Sequence, residues 1–171
     1  LLGGLLITTL SNIVERRVSD IEEGKVIYSS MKNHYVIIGY GDLTTSVIQT
    51  ILENKSKEEE PTILISTCQD IKSVRAALFA QLPFKYESQI YFYSGNIDSS
   101  EHLRSLNIDL AKEIFILGEN DEYGRDSKNL ECVKSIAKLR GKGKPILTVN
   151  VQFDKLTSYS IIQKISLTDE F

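Results

Sequence analysis

The sequence predicts an α/β fold in which a doubly wound parallel sheet carries helices on both faces, and three observations predict it. Short apolar runs rich in β-branched residues alternate five times with segments of helical periodicity. The first run closes on Gly39-Tyr40-Gly41, a glycine pair set between strand and helix. Hydrophobic residues make up 42% and charged residues 25% of 171 positions, enough for one well-buried core and ordinary for a globular chain. Right-handed crossovers join parallel strands most directly, which makes the sheet Rossmann-like. In such sheets a ligand sits outside the carboxyl ends of the strands, where the strand order reverses.

The first element is the apolar run Leu1 to Val14, followed by Glu15-Arg16-Arg17. It is shorter than the roughly 20 residues a spanning helix needs, and its basic residues follow the apolar stretch, opposite to a secretory signal. Two readings stand: the last turns of a membrane helix with the arginines at its cytoplasmic boundary, or an amphipathic helix packed on the domain or a partner. Residues 1–17 are taken as this element and 18–32 as a linker containing Glu22-Glu23-Gly24-Lys25.

The globular unit is expected from 33 to 171. His34 to Gly39 reads as a strand buried on both faces. Leu43 to Asn54 is a helix with Leu43, Val47, Ile48, Ile51 and Leu52 at helical spacing, ending before the solvated charge run Lys55 to Glu60. Thr62 to Ile65 is the second strand, and Asp70 caps a helix from Ile71 to about Gln81, stopped by Pro83. Gln89 to Tyr93 is the third strand, with Gly95-Asn96 and a short helix around Ser100 to Leu106 after it. Glu113 to Leu117 is the fourth, leading to a long helix from Asp126 to Leu139. Pro145 to Val151 is the fifth, leading to a helical stretch from Asp154 to about Lys164.

Charge and cysteine content narrow the function. A net charge of −3 supplies no broad cationic field, so nucleic acid is not an expected partner. Cys68 and Cys132 lack ligand spacing and read as reduced apolar residues. His34 and His102 form no metal cluster, and His34 reads as structural.

In Gly39-Tyr40-Gly41-Asp42-Leu43-Thr44 the first glycine allows a tight turn and the second lets backbone approach a pyrophosphate at the helix terminus. Thr44 stands where a dinucleotide fingerprint has its third glycine. The second strand ends Ser66-Thr67-Cys68, without the carboxylate that accepts hydrogen bonds from an NAD ribose. Ser66 and Thr67 offer hydroxyls there, and Asp70 is near in sequence. The loop Gly118 to Asp126 gathers carboxylates that could hold a divalent cation and an arginine, Arg125, that could meet a phosphate, unless it is simply solvated. No serine elbow with its base and no Tyr-x-x-x-Lys occurs, so a binding module is favoured over an enzyme. The competing readings are the cofactor-binding domain of an NAD(P)-dependent oxidoreductase and a ligand-free assembly scaffold.

The succession of His34 to Gly41, Ser94-Gly95-Asn96-Ile97-Asp98, Ile114 to Leu117 with its acidic loop, and Asn129 resembles the amino-terminal lobe of RCK domains. These are regulators of potassium conductance, also called TrkA-N or KTN domains, and the resemblance covers about residues 33 to 165. The loop ending Tyr123-Gly124-Arg125-Asp126-Ser127 looks like the Castor and Pollux type branch of ion channels. The resemblance implies a homo-oligomer whose dimer units form a gating ring, hung from a pore domain of the same polypeptide at the cytoplasmic face of a membrane. It therefore favours the pore-helix reading of the opening segment. The cofactor-binding set it implies, with the turn residues, is Gly39, Tyr40, Gly41, Asp42, Leu43, Ser66, Thr67, Gly95, Asn96 and Glu119. NAD or another adenine nucleotide is the expected ligand, although Ser66 and Thr44 depart from the pattern, and a divalent cation is left unassigned. A sixth strand and a carboxyl-terminal lobe are not expected within the 171 residues, so subunit-pairing elements are expected to be incomplete.

Overall fold

The computed structural model describes residues 2–54, 60–96, 99–119, 124–140, 146–155 and 158. Its sheet has five strands: β1 (Tyr35–Ile38), β2 (Ile63–Thr67), β3 (Ile90–Ser94), β4 (Glu113–Ile116) and β5 (Thr148–Val151). The spatial order is β3-β2-β1-β4-β5, and every neighbouring pair is parallel. The order reverses at β1, which pairs with β2 on one side and β4 on the other. That is the switch point where the sequence places the ligand.

Among the described residues the helices that precede and join the strands are α1 (Leu2–Glu22), α2 (Thr44–Glu53), α3 (Ile71–Phe79), α4 (Ser100–Ser105) and α5 (Arg125–Arg140). Strand alternation divides the core in two. Ile37, Ile63, Ile65 and Phe92 face Ile48, Leu52, Val74 and Leu78 of α2 and α3. Val36, Ile38, Leu64, Ile114 and Ile116 face Leu103, Leu106, Cys132 and Ile136 on the other side. Each such aliphatic side chain contributes about 1.5–3 kcal/mol by leaving water. β5, with alternating exposed and half-buried residues, forms one edge.

Two short 3-10 segments, Phe84–Gln89 and Ile108–Leu110, were not among the expected elements. They are too short for a periodic signal, and the second follows Asn107, whose left-handed φ of 50° has no apolar pattern to announce it. Of the last predicted helix only Asp154, Lys155 and Ser158 are among the described residues. The charge run Lys55 to Glu59 and Pro145 lie outside them.

The opening segment differs most from expectation. One helix continues past Arg17 to Glu22, because no glycine or proline intervenes until Gly24. There it stops in a Schellman turn: the Gly24 N–H donates to Ile21 O at 3.2 Å and the Lys25 N–H to Asp20 O at 2.8 Å, with Gly24 at φ +66°. Residues 9–19 are exposed on every side of α1, so that stretch does not pack on the sheet. Among the described residues no helix is long and apolar enough to cross a membrane. The stretch after α1 is not a free linker. Gly24 and Val26 are buried, the Ser94 N–H donates to Gly24 O at 2.8 Å, and Asn107 Nδ2 donates to Tyr28 O at 2.8 Å.

Candidate functional site

The glycine turn after β1 fits against the turn after β4. Gly39 has φ +88°, and a Cβ there would lie 2.3 Å from the carbonyl carbon and oxygen of Gly118. Gly118, at φ +73°, leads directly into Glu119. The tips of two neighbouring strands therefore meet backbone to backbone, and only glycine allows the approach.

Glu119 turns back across the tips of β1 and β2 and is 6% exposed. Its carboxylate accepts from the Tyr40 N–H at 3.2 Å, the Thr67 hydroxyl at 2.8 Å, the Cys68 N–H at 2.9 Å and Gln69 Nε2 at 2.6 Å. Gln69 Nε2 also donates to Tyr40 O at 2.9 Å, which ties the loop after β2 to the glycine turn. Gly41, the second glycine, donates its N–H to Thr44 Oγ1 at 2.9 Å. Thr44, in the third-glycine position, is fully buried. Neutral donors converging on one carboxylate form a cradle suited to an anion.

The structure thus brings together Gly39, Tyr40, Gly41, Thr67 and Glu119 of the expected set. Cys68 and Gln69 join them unforeseen, one through a backbone N–H that has no sequence signature. Asp42 and Leu43 are exposed at the rim. Asp70 caps α3, its carboxylate accepting from the Ser73 N–H and hydroxyl, and these bonds hold its pKa below the usual carboxylate range.

Ser66 lies on the other face of the sheet, where its hydroxyl is hydrogen-bonded to His102 Nε2 at 2.6 Å. The His102 ring stacks on Tyr93 with centroids 4.8 Å apart. Gly95 lies against that ring, and its N–H donates to Thr67 O at 3.1 Å; Asn96 beside it is exposed. The loop before α5 divides similarly. Asp121, Glu122 and Tyr123 lie outside the described residues, and among the described residues no cluster of potential metal ligands occurs. Arg125 Nε donates to Asp154 at 3.0 Å, Asp126 accepts the N–H groups of Asp154 and Lys155, and Asn129 Nδ2 donates to Gln152 O. Arg125 is therefore engaged with a carboxylate.

Both histidines are buried, and burial holds each imidazole below its ordinary pKa of 6.5. For His34 the bond to the Leu106 carbonyl pulls weakly the other way. The unfolded chain therefore takes up protons first as pH falls. Stability from these groups is complete above the unfolded value and is lost as pH drops from about 6.5 through the lower folded values. Thermal melts are expected to show a falling midpoint from about pH 7.5 to 5.5. A His102→Gln variant is expected to show a shallower fall, and an equal slope would remove His102 from the account.

The family model for the calcium-activated potassium channel slowpoke-like RCK domain matches residues 30–162. A search of curated protein sequences gave no match. Among solved structures, the GsuK channel bound to NAD superposes with a TM-score of 0.59 at 15% identity, over 94% of this chain and 25% of that one. The GsuK RCK domain gives 0.52 at 12%, over 78% and 24%. The TrkA-N domain of the inner membrane protein ybaL from Escherichia coli gives 0.52 at 14%, over 78% and 82%. At these identities the likeness establishes the fold. The chain spans about a quarter of the GsuK chain it matches.

Proposed function

The chain belongs to the slowpoke-like RCK domain family of calcium-activated potassium channels, and from that membership we propose that it is a ligand-sensing module that regulates a cation pore. It acts by binding and not by turnover. It assembles as dimers into a ring at the cytoplasmic face of a membrane, and α1 leads to the pore on the same polypeptide. The sequence of the loop ending Tyr123 to Ser127 supports a finer reading, a likeness to the Castor and Pollux type branch of ion channels.

The observation that carries this reading is a continuous bonded path from the carboxyl-edge cradle to α1. The Thr67 hydroxyl lies in the cradle and its carbonyl accepts the Gly95 N–H. The adjacent Ser94 N–H donates to the carbonyl of Gly24, the residue that ends α1. A Glu22–Lys72 ion pair at 3.1 Å ties α1 to α3 alongside it. A change in the cradle thus reaches α1 through two strand-end peptides. A ligand moves that linkage only through unequal affinity for two states.

NAD is the first ligand to test, since the GsuK structure with NAD supports an adenine dinucleotide. In inside-out patches carrying the full-length polypeptide, NAD or ADP is expected to change open probability. Gly24→Ala is expected to reduce that response at least about threefold without changing ligand-induced thermal shifts of the 171-residue chain, a coupling loss of about 0.7 kcal/mol. A Cβ at Gly24 would lie 2.8 Å from Ser94 N and 2.9 Å from Ile71 Cγ1, so the joint must open. Channels indifferent to both nucleotides would defeat the sensor reading and favour a ligand-free scaffold.

A further inference from the structure

The cradle at the β1 and β2 tips holds an anion already, and that anion belongs to the protein. Both Glu119 carboxylate oxygens are engaged: Oε1 with Thr67 Oγ1 and Cys68 N, Oε2 with Tyr40 N, Thr67 Oγ1 and Gln69 Nε2. None of these partners is cationic. Backbone N–H groups, a hydroxyl and an amide arranged around a bare carboxylate are the donor set that elsewhere receives phosphate or carboxylate ligands. The other N–H of the glycine turn, that of Gly41, is taken by the Thr44 hydroxyl. The donors that would meet a pyrophosphate are therefore bonded within the chain.

We propose that these donors form a small-anion site whose resident occupant is Glu119, and that a carboxylate- or phosphoryl-bearing ligand enters by displacing that side chain. The proposal rests on the cleft being the regulatory site and says what its ligand must do. Three features support displacement as a discrete event. Glu119 follows Gly118, whose positive φ is at home in glycine. The donors stay in place without it, because Gln69 is also tied to Tyr40 O and Thr67 Oγ1 also accepts the Gln69 N–H at 3.1 Å. The start of α5 is held independently of Glu119, because Arg125, Asp126 and Asn129 bond Gln152, Asp154 and Lys155, so departure of the Glu119 side chain leaves that end anchored.

The test is anion rescue of the 171-residue chain with Glu119→Ala, using sodium propionate and inorganic phosphate as separate probes and sodium chloride as the ionic-strength control. Propionate is expected to raise the melting midpoint of the variant saturably, with an apparent affinity at least about tenfold above any seen with wild type, where Glu119 competes. A response to propionate alone assigns the site to carboxylates; a response to both assigns it to the wider class. Adding Thr67→Val is expected to abolish the rescue. Equal responses from wild type and variant, or none from the variant, would overturn the proposal. Should Glu119→Ala stay unfolded at every anion concentration, the same titration and criteria apply to Glu119→Gln, which keeps the shape without the charge. The gating reading fails separately. Rescue with nucleotide-indifferent channels would leave the cradle and remove its regulatory role, while nucleotide-sensitive channels without rescue would do the reverse.

Discussion

Gly39→Ala is expected to remove a large part of the stability of the fold. Two effects combine at this position. The residue sits at φ +88°, where a side chain costs about 1–2 kcal/mol. The added Cβ would also lie 2.3 Å from the Gly118 carbonyl, and that is backbone held in the sheet: the N–H groups of Leu117 and Gly118 both donate to Ile38 O, and the Gly39 N–H donates to Ser66 O. No side chain can swing away to make room, so β1 and β4 must separate at the tips that form the cradle. A loss of at least about 3 kcal/mol is expected, against a typical total of about 5–15. Gly124→Ala supplies the contrast. Its φ is +82°, nearly the same, but nothing lies within 4 Å of its added Cβ. It should cost only the conformational part, about 1–2 kcal/mol. Urea unfolding followed by circular dichroism measures both, and equal losses would show that the close approach of Gly39 to Gly118 is not what destabilises the variant.

Gly95→Ala is expected to cost about 2–4 kcal/mol for a different reason. Gly95 is absent from the positive-φ residues, so its backbone suits any residue. The obstacle is the His102 ring, whose Cε1 and Nδ1 would lie 2.0 Å from the new Cβ. The ring is held by the Tyr93 stack and the Ser66 hydrogen bond, so moving it breaks both. His102→Ala alone should cost about 2–3 kcal/mol through lost packing and an unpaired Ser66 hydroxyl. The double variant should then lose at least about 1 kcal/mol less than the sum, since the obstacle is gone before the methyl arrives. Strict additivity would sink this account and return Gly95 to the ligand-binding role that its sequence position suggests.

The sheet was legible because the strands are short β-rich runs bounded by turn residues, and because the central strands, buried on both faces, need no alternation to be recognised. The helix caps were partly legible: Asp70 reads as an N-cap and is one. The continuity of α1 was obscured by the change of composition at Glu15, although charge does not break a helix and Gly24 does. At the site, Gly39, Tyr40 and Thr67 could be named from strand ends and Glu119 through the family resemblance, but their mutual bonding could not, since it depends on the β4 tip folding over β2. The separation of Ser66 from Thr67 was available in principle. Successive residues of a strand point to opposite faces, so only one of that pair could face the cradle. The role of His102 had no signal, because its partners Ser66, Tyr93 and Gly95 come from the ends of two strands and the loop beyond one of them.

The way α1 leaves the domain has a mechanical meaning. Twenty-one residues at 1.5 Å each make a rod of about 31 Å. The rod joins the domain at the Gly24 carbonyl bonded to Ser94 and the Glu22–Lys72 ion pair beside it, and residues 9–19 are exposed to solvent. With so long an arm on so small a fulcrum, a tilt of about 5° at Gly24 carries the far end roughly 3 Å, about the rise of two helical residues. A small rotation at Gly24 is therefore magnified along the length of α1.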